Sequence, residues 1–293
     1  MYPYLHIGTF QLGTFGLLLW LAAVAGTAVL HWNFERFRIQ GDAINIVALA
    51  VVAGIVGAKA WHELQDVPEL MRSLQFIGQP GWSQPIVVLG RFLHWFQAGF
   101  AWYGGMLAAV ATLMLQGRTV HFAGPTIEKP GPSIGAFRML DLAAPAAAIG
   151  YGVGRLGCLT SGDGDYGRNT TSWIGVHMRP DALVPVHPAD ALVLPTPLFE
   201  LAGAVVIGMI LWRLGAKPRV VGWLTGLYLI LSGVARFIVE FWRINPQLYW
   251  GLSNAQVAAV CSVLLGMVWM AVAIARKVPW RTPASAPVAP VAA

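Results

Sequence analysis

Long apolar runs alternate with short polar connections along this chain. Seven of the runs are long enough to cross the roughly 30 Å hydrocarbon core of a bilayer as helices. They predict spans at residues 12–31, 43–62, 98–116, 138–157, 197–213, 220–241 and 254–276. Pro145 and the glycine-rich sequence GYGVGRLG (150–157) predict an interruption of the fourth span. The pattern predicts an all-α polytopic membrane protein with seven transmembrane helices.

Two connections are longer than a simple turn requires. Residues 63–97 hold acidic side chains, then GQPGWSQP, then the start of RFLHWFQAGF, which we expect to lie along the outer interface. Residues 158–196 predict a small polar insertion on the outer face, with a short strand in TSWIGVHM (171–178). We therefore expect a seven-helix membrane domain over residues 1–281, with a periplasmic head at 158–196, and a disordered tail at 282–293.

The composition agrees with a membrane protein. Of 293 residues, 57% are hydrophobic and 11% are charged, against about 25% charged in soluble domains. Mean hydropathy is +0.62 and the pI is near 9.6. The basic residues are scattered over several loops, which argues against a nucleic-acid partner. The two cysteines lie in apolar segments and are too few for a disulfide framework.

The loop charges predict an orientation. Lysine and arginine concentrate after the first, third and fifth spans, whereas acidic residues concentrate after the second and fourth. The positive-inside rule then places the N-terminus in the periplasm and the C-terminus in the cytoplasm. The sequence before the first span carries no lysine or arginine, so we expect a retained helix rather than a cleaved signal peptide.

Charged residues inside the spans are the candidates for function. Arg155 is the only charge between Asp141 and Asp163, and Arg236 lies four residues before Glu240, on the same helical face. An arginine at the centre of a membrane helix costs roughly 2.5–3.5 kcal/mol. These residues predict either a buried site for an anionic head group or a structural ion pair between helices. Glu240 alone does not neutralise two arginines, which favours the site.

Several other polar residues have more than one interpretation. Glu200 stands alone in an uncharged stretch, which indicates a role in the site or a pair with an arginine. Asp163 and Asp165 are candidates for a base, an arginine partner or turn caps. Lys59, flanked by small residues, either extends to the interface or faces a cavity. Cys158 is more commonly explained as a small buried thiol than as a nucleophile. Metal and nucleotide motifs are absent, so we expect no cofactor.

Four motifs occur in a fixed order: YGGML at 103–107, GVGRLGC at 152–158 followed by GDGDYG at 162–167, PTPLFE at 195–200, and GVARFIVEFWR at 233–243. With the opening YLHIGTFQLGTFGLLLWLA, this set resembles the bacterial prolipoprotein diacylglyceryl transferases over nearly the whole chain. The resemblance implies an inner-membrane enzyme surrounded by membrane lipids. It would move the diacylglyceryl group of phosphatidylglycerol to the lipobox cysteine of a prolipoprotein signal peptide, forming a thioether and releasing glycerol phosphate.

The resemblance also implies roles for residues. We expect catalysis to involve Arg155, Arg236, Tyr103 and Glu200. We expect phosphatidylglycerol to be bound by Arg155, Arg236, Gly104, Gly105, Glu240 and Asp163. Guanidinium groups bind phosphate bidentately and stabilise the charge that builds on the leaving phosphate.

The chain departs from the family pattern at residues near this site. Tyr103 stands where members often carry histidine, and a phenol with a pKa near 10 is a poor base. Cys158 replaces an asparagine, and GDGDYG replaces a segment that contains glutamate. We therefore expect the arginines to activate the substrate thiol and a nearby carboxylate to take its proton: Glu200, Asp163 or Asp165.

Two other functions remain open from the sequence. A transporter of an anionic solute would also use arginines within the membrane and broken helices, but it usually shows internal repeats, which we do not find. A family paralogue that binds lipid with weak or no transfer is the closer alternative, because Tyr103 and Cys158 depart from the pattern.

Overall fold

The computed structural model describes residues 4–8, 10–74, 84–96, 101–124, 130–179, 182, 184–217 and 220–280. Within them the chain forms nine α-helices: α1 (Thr14–Phe37), α2 (Ala43–Gln65), α3 (Val67–Ser73), α4 (Pro85–Phe96), α5 (Trp102–Gln116), α6 (Ala136–Ser161), α7 (Thr196–Gly215), α8 (Trp223–Val239) and α9 (Asn254–Arg276). A 3-10 turn at Glu240–Trp242 extends α8. The expected tail at 282–293 lies outside the described residues.

In the described part of the chain, six helical segments of 20 to 26 residues are apolar enough to cross a membrane. They correspond to six predicted spans and confirm a helical, multi-pass membrane protein. The predicted third span, 98–116, contains α5, which has 15 residues. At 1.5 Å per residue α5 is about 22 Å long, shorter than the hydrocarbon core. Residues 97–100 lie outside the described part of the chain, so a seventh span stays a prediction.

Helix α6 lies at the centre of the bundle, where it packs against α1, α5, α7 and α8. The predicted interruption of this span was wrong, because α6 continues through Pro145 as one helix of 26 residues. Its glycines allow close packing with neighbouring helices. A Cβ atom on Gly152 would lie 3.0 Å from the Cβ of Ala204 on α7, and one on Gly150 would lie 3.3 Å from the carbonyl oxygen of Ala22 on α1. Small residues at such contacts are typical of membrane helices.

Helices α2 and α5 form a second close pair. A Cβ atom on Gly104 would lie 2.2 Å from the Cβ of Trp61, so this position accepts only glycine. On α2, Lys59 is 5% exposed and its Nζ lies 2.6 Å from an oxygen of Glu63. The same Nζ donates a hydrogen bond to the carbonyl oxygen of Trp95 at 2.9 Å. Lys59 therefore forms a buried ion pair within α2, and its hydrogen bond to Trp95 joins α2 to α4.

Among the residues that the structure describes, four antiparallel two-stranded sheets connect or precede the helices: β1 (Tyr4–Ile7) with β2 (Phe10–Gly13), β3 (Ile39–Gln40) with β4 (His121–Phe122), β5 (Val176–His177) with β6 (Leu192–Val193), and β7 (Gln247–Tyr249) with β8 (Leu252–Ser253). Strand β5 lies inside TSWIGVHM, where a strand was predicted. It belongs to the long connection between α6 and α7. That connection begins at Gly162, four residues after the predicted start of the head, because α6 continues to Ser161.

The connection between α6 and α7 has a small apolar core of its own. Its buried members are Tyr166, Met178, Val186 and Val193, which pack with Leu159 at the end of α6. The hydroxyl group of Tyr166 donates to the carbonyl oxygens of Val184 and Pro185, at 3.2 Å each. These contacts fold the described part of the connection over the end of α6 and the start of α7.

At the opposite end of the bundle, α6 supplies a cap for α8. The Oδ2 atom of Asp141 accepts a hydrogen bond from the backbone N–H of Gly222 at 2.7 Å, and Oδ1 accepts one from the N–H of Thr225 at 2.9 Å. The first N–H groups of a helix lack partners within the helix, and a carboxylate there also interacts favourably with the helix dipole. Asp141, which is 1% exposed, thus fixes the position of α8 against α6.

Candidate active site

The ends of three helices meet beside the connection of residues 162–195. Arg155 lies near the end of α6, Glu200 near the start of α7, and Arg236 near the end of α8. Helix α7 begins at Thr196 with Pro197 in its first turn, where proline is well tolerated. The Oγ1 atom of Thr196 donates to the carbonyl oxygen of Asp165 at 2.6 Å. The connection is thereby fixed to the start of α7, close to Glu200.

Glu200 joins the two predicted arginines. One carboxylate oxygen contacts the Nη1 atom of Arg236, and the other contacts the Nε atom of Arg155. The Glu200 side chain is 3% exposed, so both ion pairs are shielded from solvent. Arg155 and Arg236 therefore belong to one site, although they lie on different helices.

Asp165 joins Arg155 to a third arginine, Arg243. One oxygen of Asp165 contacts the Nη1 atom of Arg155 and the other contacts the Nη2 atom of Arg243. Gly162 and Gly164 adopt positive φ angles of 64° and 88° in the turn that presents Asp165, a conformation that glycine reaches without strain.

The two aspartates of this turn have opposite electrostatic environments. Burial alone would raise the pKa of Asp165, but the hydrogen bond from Arg243 and the charges of Arg243 and Arg155 outweigh it and hold the pKa below the ordinary value. Burial and the negative charge of Asp165 raise the pKa of Asp163. The Oδ1 atom of Asp163 accepts a hydrogen bond from the backbone N–H of Asp165 at 3.2 Å, so the predicted turn is present. Asp163 therefore lies beside the site, whereas Asp165 is an arginine partner.

Glu240 holds the other side of Arg236. Its Oε2 atom lies 3.0 Å from the Nη2 atom of Arg236 and 3.6 Å from the Nε atom of Arg243. Its Oε1 atom accepts hydrogen bonds from the Oγ atom of Ser253, at 2.8 Å, and from the Nδ2 atom of Asn245. The Glu240 side chain is 1% exposed. Its contacts are those expected of a residue that orients Arg236 or Arg243.

The site as a whole is close to electrically neutral. Three guanidinium groups contact three carboxylates: Arg155, Arg236 and Arg243 with Asp165, Glu200 and Glu240. We call these six residues the ion network. Glu240 alone does not neutralise the arginines, and Glu200 and Asp165 supply the remaining negative charge. An anionic ligand must therefore compete with carboxylates that are already in place.

Two residues near Arg155 complete its surroundings. The Nη2 atom of Arg155 donates to the hydroxyl oxygen of Tyr151 at 2.9 Å, and its Nη1 atom lies 3.6 Å from the Sγ atom of Cys158. Tyr151 and Arg243 were not among the predicted site residues. Their spacing was a usable signal, because Tyr151 lies four residues before Arg155 and Arg243 lies three residues after Glu240.

The structure does not bring every predicted residue to the ion network. Tyr103 is 52% exposed on α5 and its ring packs edge-to-face against Trp102, with centroids 5.6 Å apart. Among the described residues, no hydrogen bond or ion pair joins Tyr103 to Arg155 or Arg236. Gly104 faces α2, and a Cβ atom on Gly105 would lie 3.0 Å from the carbonyl oxygen of Gly54. The roles predicted for these three residues stay predictions.

A group of possible metal ligands lies at the edge of the network. The ligand atoms of Cys158, Asp163 and Asp165 all lie within 4.8 Å of one another. Both oxygens of Asp165 already contact guanidinium groups, and Arg155 lies against the thiol. The positive charges of these guanidinium groups disfavour a bound cation at this position.

The chain matches known proteins along most of its length. The family model described as prolipoprotein diacylglyceryl transferase matches residues 3–272. The phosphatidylglycerol–prolipoprotein diacylglyceryl transferase of Polynucleobacter asymbioticus is 28% identical over 274 residues, which cover 90% of this chain and 92% of that protein. Transferase 2 of Clostridium perfringens is 25% identical over 254 residues, which cover 86% and 87%. The protein of Chlorobaculum tepidum is 36% identical over 146 residues, which cover 50% and 44%.

The family match agrees with the ordered motifs and with the helical membrane fold. It includes all four motifs and every residue of the ion network. The family predicted from the sequence is thereby confirmed: this chain belongs to the prolipoprotein diacylglyceryl transferase family.

Proposed function

We propose that this protein transfers the diacylglyceryl group of phosphatidylglycerol to the lipobox cysteine of prolipoprotein signal peptides. The single observation that carries the proposal is the buried ion network, in which Arg155 and Arg236 share the carboxylate of Glu200. Such paired guanidinium groups suit a lipid phosphodiester. Membership of the family favours transfer over transport and over lipid binding without transfer. The substrates are membrane lipid and peptide, without nucleic acid.

We place the ion network at the periplasmic side of the inner membrane. The connection of residues 162–195 and strands β7 and β8 lie at the same end of the bundle as the network. In this arrangement α5 belongs to a seventh span, the N-terminus is periplasmic and the C-terminus is cytoplasmic. The excess of basic residues in the loops at the opposite end supports this orientation. A reporter fused after residue 215 should respond as a cytoplasmic reporter, and a periplasmic response would contradict the orientation.

Lipid binding requires the ion network to open. The network pairs three positive with three negative groups, so an added phosphodiester would leave an uncompensated negative charge in a poorly solvated site. The phosphate must therefore take the place of a carboxylate at the guanidinium groups. Glu200 is the carboxylate that contacts both Arg155 and Arg236. A phosphate that bridges these two arginines displaces Glu200.

The same displacement provides an acceptor for the thiol proton. The sulfur of the substrate cysteine attacks the carbon of the diacylglyceryl group that is bonded to the phosphate oxygen. The C–S bond forms, the C–O bond breaks, and its electron pair leaves on the phosphate, where Arg155 and Arg236 stabilise the charge. A carboxylate that loses a guanidinium partner binds a proton more readily. Glu200 therefore takes the thiol proton, and glycerol phosphate leaves.

The remaining predicted residues have supporting roles. Glu240 orients Arg236 for the phosphate, and Asp163 lies beside the phosphate position. Tyr103 lies on the exposed surface of α5, where its hydroxyl group contacts the entering lipid. Gly104 and Gly105 bring this segment close to α2 and complete the lipid site.

A transfer assay with purified protein tests the proposed function. The protein is placed in vesicles with phosphatidylglycerol and a lipobox peptide, and the mass of the peptide product is measured by mass spectrometry. We expect a peptide that has gained one diacylglyceryl group on its cysteine, and no product from vesicles that hold only phosphatidylcholine. Binding of phosphatidylglycerol with no product would instead identify a lipid-binding paralogue.

A further inference from the structure

The N-terminus of α9 lies against the ion network. Ser253 is the N-cap of α9, and its Oγ atom accepts a hydrogen bond from the backbone N–H of Gln256 at 3.2 Å. In return, the Oε1 atom of Gln256 accepts from the backbone N–H of Ser253 at 3.0 Å. This reciprocal pair is a capping box, which fixes the first turn of the helix. Ser253 and Gln256 are 3% and 4% exposed.

The hydroxyl group of Ser253 serves two partners at once. A hydroxyl group offers one hydrogen and two lone pairs. A lone pair of Oγ receives the N–H of Gln256, and the hydrogen is donated to the Oε1 atom of Glu240 at 2.8 Å. Asn245 donates to the same oxygen. The Oε2 atom of Glu240 is thereby turned towards Arg236.

The two carboxylates that contact Arg236 therefore differ. Glu240 receives hydrogen bonds from the neutral donors Ser253 and Asn245 as well as its ion pairs. The described contacts of Glu200 are all with arginines. Moving a carboxylate that has additional hydrogen-bond donors costs more free energy, because those bonds are lost as well. A hydrogen bond to a charged carboxylate is stronger than a hydrogen bond between two neutral groups. Glu240 is thus the fixed partner of Arg236, and Glu200 is the exchangeable one.

We infer that Ser253 is a positioning residue that holds Glu240 on Arg236 while the lipid phosphate replaces Glu200. This inference rests on the proposed function. If the hydroxyl donor is removed, Glu240 is free to turn, and Arg236 presents its guanidinium group to the phosphate less often. The effect should fall on the use of phosphatidylglycerol and leave the use of the lipobox peptide nearly unchanged.

Three substitutions separate the donor from the helix cap. Ser253→Thr keeps both the hydroxyl group and the cap, and should stay within about twofold of the parent protein. Ser253→Gly keeps an acceptable N-cap but removes the donor, and should raise KM for phosphatidylglycerol about tenfold, with a smaller change in kcat. Gln256→Ala is the matched control, because it breaks the capping box without touching Glu240. The KM of Gln256→Ala for phosphatidylglycerol should stay near the parent value, and melting temperatures in detergent check that the variant is folded.

A fourth variant adds a readout that a cap alone does not produce. Ser253→Asp keeps a good N-cap but turns a carboxylate towards Glu240, with Arg236 and Arg243 beyond it. Two adjacent carboxylates hold a shared proton more tightly. The activity of this variant relative to the parent should therefore rise as the pH falls from 8 to 6, because the protonated carboxyl group becomes a hydrogen-bond donor to Glu240.

Two results would overturn the inference. One is parent-like KM for phosphatidylglycerol in both Ser253→Gly and Ser253→Asp at every pH. The other is an equal rise of KM in Ser253→Gly and Gln256→Ala, which would assign the effect to the cap. Native mass spectrometry of bound phosphatidylglycerol separates this inference from the proposed function. If the parent binds the lipid without transferring it, weaker binding by Ser253→Gly still supports the positioning role, and unchanged binding rejects it.

Discussion

Arg155 and Arg236, which lie on different helices, share the two oxygens of Glu200. A lipid phosphate that approaches either guanidinium group therefore meets a carboxylate already bound there. This relationship makes lipid binding an exchange of one anion for another, and it gives the displaced carboxylate a task in the transfer.

Removal of either arginine should strongly reduce transfer. Charge-assisted hydrogen bonds are worth roughly 1.5–3 kcal/mol each, so Arg155→Ala and Arg236→Ala should each lower kcat/KM at least about tenfold. Arg213→Ala, at an exposed position near the other end of α7, is the matched control and should leave transfer unchanged. Melting temperatures must be measured in parallel, since each substitution removes one guanidinium partner from two carboxylates of the ion network. Normal turnover by both folded variants would reject the site.

Glu200→Gln should separate lipid binding from proton transfer. The neutral amide competes less with phosphate for Arg155 and Arg236, so KM for phosphatidylglycerol should fall or stay constant. The amide cannot accept the thiol proton, so kcat should fall about a hundredfold, within the usual range for loss of a general base. Steady-state kinetics with varied phosphatidylglycerol measure both quantities. A parent-like kcat would assign the proton to another group.

Tyr103→Phe should retain substantial activity. Tyr103 is half exposed and packs against Trp102, away from the described contacts of the ion network. We expect kcat/KM within about threefold of the parent value, since only one lipid-facing neutral hydrogen bond is lost. A fall as large as that of the arginine variants, with binding of phosphatidylglycerol intact, would place the tyrosine hydroxyl group in the chemistry.

Asp163→Asn and Asp165→Asn should have opposite effects on stability. The pKa of Asp163 is raised in the folded protein, so its ionised form costs stability at neutral pH, and this cost fades as the pH falls through the folded pKa. Asp163→Asn should therefore raise the melting temperature at pH 7, and less so at pH 5.

The pKa of Asp165 is lowered, so its contribution is present at neutral pH and is lost only in strong acid, as the pH falls through that low pKa. Asp165→Asn should lower stability at pH 7 by roughly 3 kcal/mol, as expected when one partner leaves a buried ion pair. Thermal unfolding in detergent at both pH values measures this variant together with Asp163→Asn. Equal shifts of the same sign in the two variants would contradict the assigned environments.

Much of the fold could be predicted from the chain alone. The predicted span at 254–276 coincides with α9, and five other predicted spans lie within six residues of the observed helix ends. Length and hydropathy suffice here, because a membrane-spanning helix satisfies its backbone hydrogen bonds within itself. The break predicted at Pro145 was wrong because α6 is enclosed by other helices, which support a continuous helix through the proline.

The sequence by itself determined the class of protein, its ordered family motifs and the presence of Arg155 and Arg236 in apolar segments. Only the tertiary structure decided their partners, because Glu200 and Asp165 reach them through the packing of α6, α7 and α8. Membrane helices are apolar on both their lipid-facing and their buried sides, so hydrophobic periodicity does not show which face meets a neighbour. Partners one helical turn away, such as Arg236 and Glu240, follow from spacing, whereas the neutral ion network follows from how the helices pack.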